Sequence, residues 1–187
     1  ARVGVYRKSL LFPLTERVPV WLDFAFVRRL MPWLGSWKAG SRPRVESLRL
    51  RGGRTVRAAP LICLDAVDPG LAIAAVRDGG EVLLTLSNDS WFAEGNGPRL
   101  HLIVSAFRSL ETRRPQLRVT STGISTVITP TGEMIATAGV HERAAVTAAV
   151  TPVAERWTLM LAWGDWFGPT ALAAAVALLL SAATRSR

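Results

Sequence analysis

An uncharged run of about 17 residues near the carboxyl end, "FGPTALAAAVALLLSAA" (167–183), restricts the folds open to this chain. As a helix it would be about 25 Å long, the short limit for crossing a bilayer. Trp157, Trp163 and Trp166 precede the run, and Arg185 and Arg187 follow it. This is the order of an aromatic belt, an apolar span and a cytoplasmic positive flank. The run predicts a transmembrane helix, with a buried alanine-rich helix at a domain edge as the alternative.

The composition of the whole chain limits the kinds of site that it can form. With 187 residues, of which 49% are hydrophobic, the chain is long enough for one domain with a core. One cysteine and two histidines argue against a disulfide framework and a zinc site, so we predict no metal and no cofactor. The net charge of +9 indicates an anionic partner: nucleic acid, phospholipid headgroups or an acidic substrate. The arginines are scattered without interleaved aromatics, so no nucleic-acid module is predicted.

The first part of the chain predicts strands interrupted by turns. "RVGVYRKSLLF" is typical of a strand that ends at Pro13, and Val20 to Leu30 is at most a short helix between loops. "ESLRLRGGRTVRAAPLICLD" predicts two strands around a Gly52-Gly53 turn. Asp68-Pro69 is a helix start, and that helix should end near Gly79-Gly80.

The second part continues the mixture of strands and helices. "EVLLTLSN" predicts a strand suited to burial on both faces. "PRLHLIVSAFRSLETRR" predicts a helix, and further strands are expected in "QLRVTST", "ISTVITP", "EMIATA" and "RAAVTAAV". The order indicates a layered α/β domain. One face of that helix is apolar: Leu100, Ile103, Val104, Phe107 and Leu110.

The single cysteine, Cys63, lies where an apolar strand meets the start of a helix. The amino end of a helix offers free N–H groups and partial positive charge, which favour a thiolate nucleophile and a developing oxyanion. The alternative is a small buried hydrophobic residue. Neither a Gly-x-Ser-x-Gly elbow nor a P-loop is present, and "GNGP" is better explained as a loop before a helix.

Several separated segments resemble one enzyme superfamily in the same order. "YRKSLLFPLTERVP" is similar to the lysine segment of the nitrilase, or carbon-nitrogen hydrolase, superfamily, with Lys8, Pro13 and Glu16 at the matching spacing. "PLICLD" resembles its nucleophile segment. "LSNDSWF", the stretch from "GPRLHL" to "TPTGE", and "WGDW" before the terminal span resemble the membrane branch, the bacterial apolipoprotein N-acyltransferases.

The resemblance implies a nitrilase-like α-β-β-α sandwich, incomplete at its amino end, followed by a transmembrane helix. Residues 1–155 would be the C-terminal part of the catalytic domain. Residues 156–187 would be a membrane-proximal segment with the helix at about 167–183. It further implies a multi-pass protein of the bacterial inner membrane, with the catalytic domain on the periplasmic or extracytoplasmic face.

The same resemblance implies a chemistry. Cys63 would attack a phospholipid acyl ester and hold the acyl group as a thioester. The amine of a diacylglyceryl-cysteine at an apolipoprotein N-terminus would then accept the acyl group. Lys8 would stabilise the oxyanion and favour the thiolate, and Glu16 would orient Lys8. Taken alone, Lys8 and Glu16 would be interpreted as an exposed surface pair.

Other positions are candidates for substrate contact. Trp91 and Phe92 could shape the acyl-chain pocket or pack in the core, and Asn88 could bind substrate or cap the strand end. Leu64 and Asp65 follow Cys63 directly and are further candidates. The family usually has tyrosine at the position of Leu64 and often glutamate at that of Asp65, so the resemblance does not define the fine geometry of the pocket. His101 also matches a position of the family, but we assign it no chemistry. Four further residues match the family's helix, and for them buried pairing and substrate contact are equal alternatives: Arg108, Glu111, Arg113 and Arg114.

The family's general base, a glutamate well before the lysine, has no counterpart here, because no acidic residue precedes Lys8. We therefore expect the C-terminal part of an enzyme, inactive on its own. Two alternatives stay open: a soluble-type amidase of the same superfamily, against which the apolar span argues, and an inactive membrane-anchored remnant, which the missing base favours.

Overall fold

The computed structural model describes residues 4–41, 43–92, 95–154 and 156–185. Its centre is a six-stranded sheet with the strands side by side in chain order. β2, β3 and β4 are parallel, whereas β1 pairs antiparallel with β2, and β5 and β6 extend the other side antiparallel. The strands are β1 (Glu46–Arg49), β2 (Thr55–Ile62), β3 (Val82–Ser87), β4 (Gln116–Thr120), β5 (Ser125–Ile128) and β6 (Met134–Ala138).

Five α-helices accompany the sheet in the described part of the chain, with short 3₁₀ turns at Val20–Leu22, Cys63–Ala66 and Ser90–Phe92. The predicted start of α2 is confirmed, because the Asp68 side chain accepts hydrogen bonds from the backbone of Gly70 and Leu71. The helices are α1 (Ala25–Leu30), α2 (Pro69–Arg77), α3 (Gly97–Thr112), α4 (Leu159–Trp163) and α5 (Phe167–Arg185).

The predicted β1–β2 hairpin is confirmed. Gly52 and Gly53 both have positive φ, 90° and 84°, a conformation that residues with a Cβ rarely adopt. The crossover connections β2–α2–β3 and β3–α3–β4 place β2, β3 and β4 in parallel, so their carboxyl ends share one edge of the sheet. The candidate site lies at this edge.

α2 and α3 pack on one face of the sheet. The apolar part of this layer joins Ala59 of β2 and Leu83 of β3 to Ala75 and Val76 of α2. The opposite face of the parallel strands is also apolar, yet Leu86 is 51% exposed and Val119 is 55% exposed. The predicted burial of β3 on both faces is therefore only partly observed. The resemblance to a sandwich predicts that a second sheet covers this face.

The helix predicted in "PRLHLIVSAFRSLETRR" is present as α3, but its apolar face points outward. Leu100, Ile103 and Phe107 are 50% exposed or more. The face that packs inward is mostly polar or small and includes His101 and Ser105. The reason is that the strand beneath it, β4, presents polar side chains, Gln116 and Arg118, toward α3; these are described below.

Two predicted strands are wrong. The described part of "RVGVYRKSLLF", residues 4–12, is irregular; residues 2 and 3 lie outside the described residues. "RAAVTAAV" (143–150) is also irregular and mostly exposed. Extended segments become strands only where a neighbouring backbone completes the ladder. In residues 9 and 10 a buried carboxylate takes the backbone N–H groups instead.

The predicted terminal helix is present as α5. The window Phe167–Thr184 has a mean hydropathy of 1.7, and none of it is buried against the described residues. The alternative of a buried helix at a domain edge is therefore not observed in the described part of the chain. Arg187, part of the predicted positive flank, lies outside the described residues.

Candidate active site

Cys63 directly follows β2 and opens the 3₁₀ turn Cys63–Ala66. It is half-buried, and its φ of 51° lies in the left-handed region, which is costly for a residue with a Cβ. The turn leads into α2 at Pro69. Cys63 therefore lies at the carboxyl edge of the parallel strands, where open α/β sheets form their sites.

Asp65 connects this turn to the segment that contains Lys8. Its side chain is fully buried and accepts backbone N–H bonds from Leu10 at 2.7 Å, Ser9 at 3.1 Å and Ile62 at 3.1 Å. The Tyr6 hydroxyl donates to it at 2.8 Å. Burial, with a smaller contribution from the Asp65 carboxylate, raises the pKa of Tyr6 above its ordinary value of 10, so the hydroxyl keeps its proton. Asp65 thus holds two chain segments together.

Lys8 and Glu16 form a buried ion pair rather than an exposed one. Lys8 is 7% exposed and Glu16 is 9% exposed, and Lys8 Nζ donates to both carboxylate oxygens at 2.7 and 2.6 Å. The backbone N–H of Phe12 donates to Glu16 Oε2 at 2.7 Å. An ammonium has three donors, so one N–H of Lys8 remains for a further acceptor.

Two adjoining cavities meet at these side chains. The first, about 330 Å³, is mostly apolar, and the second, about 490 Å³, lies beside it. Five residues line both cavities: Lys8, Glu16, Cys63, Asn88 and Trp91. Phe12, Leu64, Val67, Phe92 and His101 complete the first cavity, and Arg7, Leu11, Trp37, Lys38 and Ile62 complete the second.

Four of the five expected substrate contacts line this space, and Asp65 does not. Trp91 is 60% exposed and Phe92 is 38% exposed, so neither is an ordinary core residue. Asn88 accepts from Ser121 Oγ at 2.6 Å and lines both cavities. The structure thus brings Cys63, Lys8, Glu16, Leu64, Asn88, Trp91 and Phe92 together.

A buried polar chain lies behind His101, which lines the first cavity. His101 Nδ1 is 2.9 Å from Asp89 Oδ1, and Arg118 Nη2 donates to Asp89 Oδ2 at 2.9 Å. Ser87 Oγ also donates to Asp89, at 2.6 Å. Burial alone would raise the pKa of Asp89, but these hydrogen bonds and the Arg118 charge lower it. Burial lowers the pKa of Arg118, while Asp89 and Cys63 act in the opposite direction.

For Arg108 and Arg114, which are buried, the structure favours buried hydrogen bonding over substrate contact. Arg108 donates to Glu111 at 2.7 Å and to the Val67 carbonyl at 3.0 Å. Burial lowers the pKa of Arg108 and raises that of Glu111. Arg114 donates to backbone carbonyls, that of Gly80 among them. Arg113 is exposed, and none of the four lines the two cavities at Cys63.

Sequence reasoning brought Cys63, Lys8 and Glu16 together but did not predict the buried contacts of Asp65, His101 and Arg118. The alternation in "QLRVT" placed Gln116 and Arg118 on one face of β4 without showing which face meets α3. Among the described residues no cluster of three or more His, Cys, Asp or Glu side chains could hold a metal ion.

The family model of the carbon-nitrogen hydrolases matches residues 1–158 of the chain. The chain therefore belongs to the carbon-nitrogen hydrolase family. Among curated proteins it is similar to the apolipoprotein N-acyltransferase of Chlorobaculum tepidum, with 33% identity over 99% of this chain and 35% of that protein. It is similar to apolipoprotein N-acyltransferase 2 of Treponema pallidum, with 35% identity over 69% of this chain and 24% of that protein. The resemblance stated from the motifs is confirmed.

The chain spans about a third of the length of the curated relatives it matches. Among solved structures it is similar to an amidase from Nesterenkonia sp. AN1, with a TM-score of 0.50 and 20% identity. That match covers 74% of this chain and 48% of the amidase, and it shows the fold alone. The mixed sheet with its helices is thus nitrilase-like.

Proposed function

We propose that the protein to which this chain belongs is an N-acyltransferase. It moves an acyl chain from a phospholipid, through a thioester on Cys63, to the N-terminal amine of a diacylglyceryl-cysteine apolipoprotein. The observation that supports this most strongly is the position of Cys63 with the buried Lys8–Glu16 pair on the wall of two adjoining cavities. The similarity to curated apolipoprotein N-acyltransferases supports the choice of substrates.

In the first half-reaction the Cys63 thiolate attacks the carbonyl carbon of the acyl ester. The carbonyl electrons move to oxygen, and the third N–H of Lys8 stabilises this oxyanion. Collapse of the intermediate forms the thioester and expels the lysophospholipid oxygen, which takes the proton that the thiol gave up. Glu16 orients Lys8, because both its oxygens accept from Lys8 Nζ.

In the second half-reaction the amine of the acceptor attacks the thioester carbonyl. The new C–N bond forms, the C–S bond breaks, and the proton of the amine passes to the Cys63 sulfur. The general base that the resemblance implies is a glutamate upstream of Lys8. No acidic residue precedes Lys8 in these 187 residues, and their inactivity when alone stays a prediction.

The shape of the cavities suits a lipid donor. The first cavity is mostly apolar, and Trp91, Phe92 and Leu64 line it, so we assign it to the acyl chain. Lys38 and Arg7 line the second cavity and would meet the anionic headgroup. Asn88 would bind polar atoms near the ester. Asp65, which is buried behind the turn, would position the site without contacting substrate.

Exposed aromatic side chains in residues 21–37, of which Trp37 lines the second cavity, support a membrane location. Trp21, Phe24, Phe26, Trp33 and Trp37 are each 61% to 75% exposed. Such a patch is typical of a membrane or interaction surface.

The proposed organisation is a catalytic part at 1–155 and a membrane-proximal part at 156–187. Within the latter, α5 serves as a transmembrane anchor. The protein would be a multi-pass protein of the inner membrane, with Cys63 on the periplasmic or extracytoplasmic face.

The test uses the protein expressed from its complete gene and purified in detergent. After incubation with phospholipid, mass spectrometry should find a hydroxylamine-labile acyl group on Cys63, and a diacylglyceryl lipopeptide should then receive it. Acylation that persists in a Cys63→Ala variant would refute the assignment of the nucleophile.

The alternatives give different results in the same assay. A soluble-type amidase would release ammonia from a small amide and leave the lipopeptide unmodified. A folded protein that forms no thioester and cleaves no amide would be an inactive remnant.

A further inference from the structure

The groups behind His101 select one tautomer of its neutral ring. The Asp89 carboxylate, whose side chain is fully buried and whose pKa is lowered, can only accept a hydrogen bond. The nitrogen that faces it at 2.9 Å, His101 Nδ1, must therefore carry the hydrogen. Arg118 Nη2 lies 3.3 Å from Nδ1, but two donors do not form a hydrogen bond. In the neutral ring Nε2 is then an acceptor.

This acceptor has no hydrogen-bond partner among the described residues. The hydrogen-bonding contacts of His101 are both made by Nδ1, and the ring of Phe92 packs against the imidazole at a centroid distance of 5.7 Å. The side chain is 93% buried, since only 7% of the residue is exposed, yet it lines the cavity of Cys63. Nε2 is not among the buried atoms that lack a partner, so it is open to the cavity, where it can accept a hydrogen bond from a ligand.

The side-chain oxygens of Glu16 and Asn88 on the wall of this cavity already accept hydrogen bonds. Both oxygens of Glu16 accept from Lys8. Asn88 Oδ1 accepts from Ser121 Oγ and from the backbone of Ser90. Unlike these oxygens, His101 Nε2 accepts no hydrogen bond from the described residues.

The two substrates of the proposed function differ in what they offer to such an acceptor. The reacting ester of a phospholipid presents only oxygen acceptors near the carbonyl carbon, and Lys8 supplies the donor for these. The amine that attacks the thioester presents N–H groups. We propose that His101 binds the acyl acceptor: its Nε2 accepts a hydrogen bond from the α-amine of the incoming lipoprotein and positions that amine against the Cys63 thioester.

This inference rests on the proposed function and makes His101 specific for the second half-reaction. Asp89 and Arg118 are positioning residues, because they orient the imidazole without contacting the amine. The hydrogen bond leaves the atom balance of the transfer unchanged, since the amine proton still passes to the Cys63 sulfur.

The test replaces His101 by asparagine in the protein expressed from its complete gene. The amide nitrogen of asparagine reproduces Nδ1 and its bond to Asp89, whereas Nε2 is removed. We expect a smaller effect on thioester formation from phospholipid than on transfer, because His101 lines the cavity assigned to the acyl chain but accepts no hydrogen bond from the donor ester. Transfer to a synthetic diacylglyceryl lipopeptide should be slower by about tenfold to a hundredfold, the effect of one hydrogen bond to a charged or polarised group, with an increased KM for the lipopeptide.

The other histidine gives a matched control. His141 is exposed and has a φ of 60°, which asparagine tolerates, so His141→Asn should leave both half-reactions unchanged.

The remaining outcomes each refute a definite statement. Wild-type transfer in a folded His101→Asn protein overturns the inference, and so does an equal loss in both half-reactions, which would show a structural role. Absence of a thioester on wild-type Cys63 refutes the proposed function itself.

Discussion

Replacing Asp65 by asparagine tests whether this carboxylate holds the catalytic segments together. Asp65 Oδ2 accepts from the Ile62 backbone at 3.1 Å and from the Tyr6 hydroxyl at 2.8 Å, while Oδ1 accepts from Leu10 at 2.7 Å. Asparagine keeps the oxygen but places an NH₂ group where Oδ2 was, or the reverse. Tyr6 can turn its hydroxyl to accept, whereas a backbone N–H cannot.

At least one bond between a carboxylate and a backbone N–H is therefore lost, and one buried donor is left facing another. A hydrogen bond to a charged group contributes about 1.5–3 kcal/mol, and domains have about 5–15 kcal/mol of total stability. We expect the free energy of unfolding to fall by about 2 kcal/mol. Because Ile62 adjoins Cys63 and Ser9 adjoins Lys8, the separation of nucleophile and lysine should also change, and a displacement of about 1 Å can lower a rate by about 10²-fold.

The assay measures thermal unfolding and thioester formation on the same preparation in detergent. Asp68→Asn is the matched control: Asp68 also accepts two backbone N–H groups, but it does so at a helix start, where asparagine caps equally well. Unchanged stability and unchanged acylation in Asp65→Asn would refute the reasoning. Unchanged stability with lost acylation would instead support the sequence-based prediction that Asp65 contacts substrate directly.

Three further predictions concern the lysine, the buried aspartate and the terminal helix. Lys8→Met should lower the rate of thioester formation by about 10²-fold or more in a folded protein, and near wild-type activity would show that the Lys8–Glu16 pair is structural only. Asp89 ionisation should contribute stability that is complete above its ordinary carboxyl value of 3.8 and is lost as the pH falls through the lower pKa of the folded state. The unfolding temperature of the wild type should therefore fall more steeply with decreasing pH than that of Asp89→Asn. Equal dependence of the two unfolding temperatures on pH would contradict this. A reporter fused after Arg187 should behave as cytoplasmic, and an extracytoplasmic signal would reverse the topology assigned to α5.

The elements that the sequence predicted correctly are those with local causes. Asp68 caps α2 within three residues of its own position, and the Gly52-Gly53 turn closes the β1–β2 hairpin. The segment before Pro13 shows the limit of such signals. Its β-branched and aromatic residues favour extended backbone, but strand formation depends on which distant group reaches the N–H donors, and here Asp65, 55 residues beyond Leu10, reaches them.

The candidate site likewise contains residues that the sequence predicted and residues that it did not. Cys63, Lys8 and Glu16 belong to motifs with fixed spacing, so they were found. Asp89, His101 and Arg118 were not grouped, because 12 and 29 residues separate Asp89 from its partners. Only the β3–β4 register and the packing of α3 bring them together, and neither is encoded in a short pattern.

The outward apolar face of α3 and the polar face beneath it have one explanation. Apolar packing tolerates rearrangement of side chains at modest cost, whereas hydrogen bonds fix distance and direction. α3 is joined to the sheet by such bonds: Gln116 Nε2 donates to Ser105 Oγ at 2.6 Å, and Ser109 Oγ donates to Gln116 Oε1 at 3.2 Å. One turn before Ser105 lies His101. A shift or rotation of α3 would break these buried bonds at a cost that apolar contacts would not impose. The polar layer therefore determines where the imidazole meets the cavity, and functional groups need that precision more than a core does.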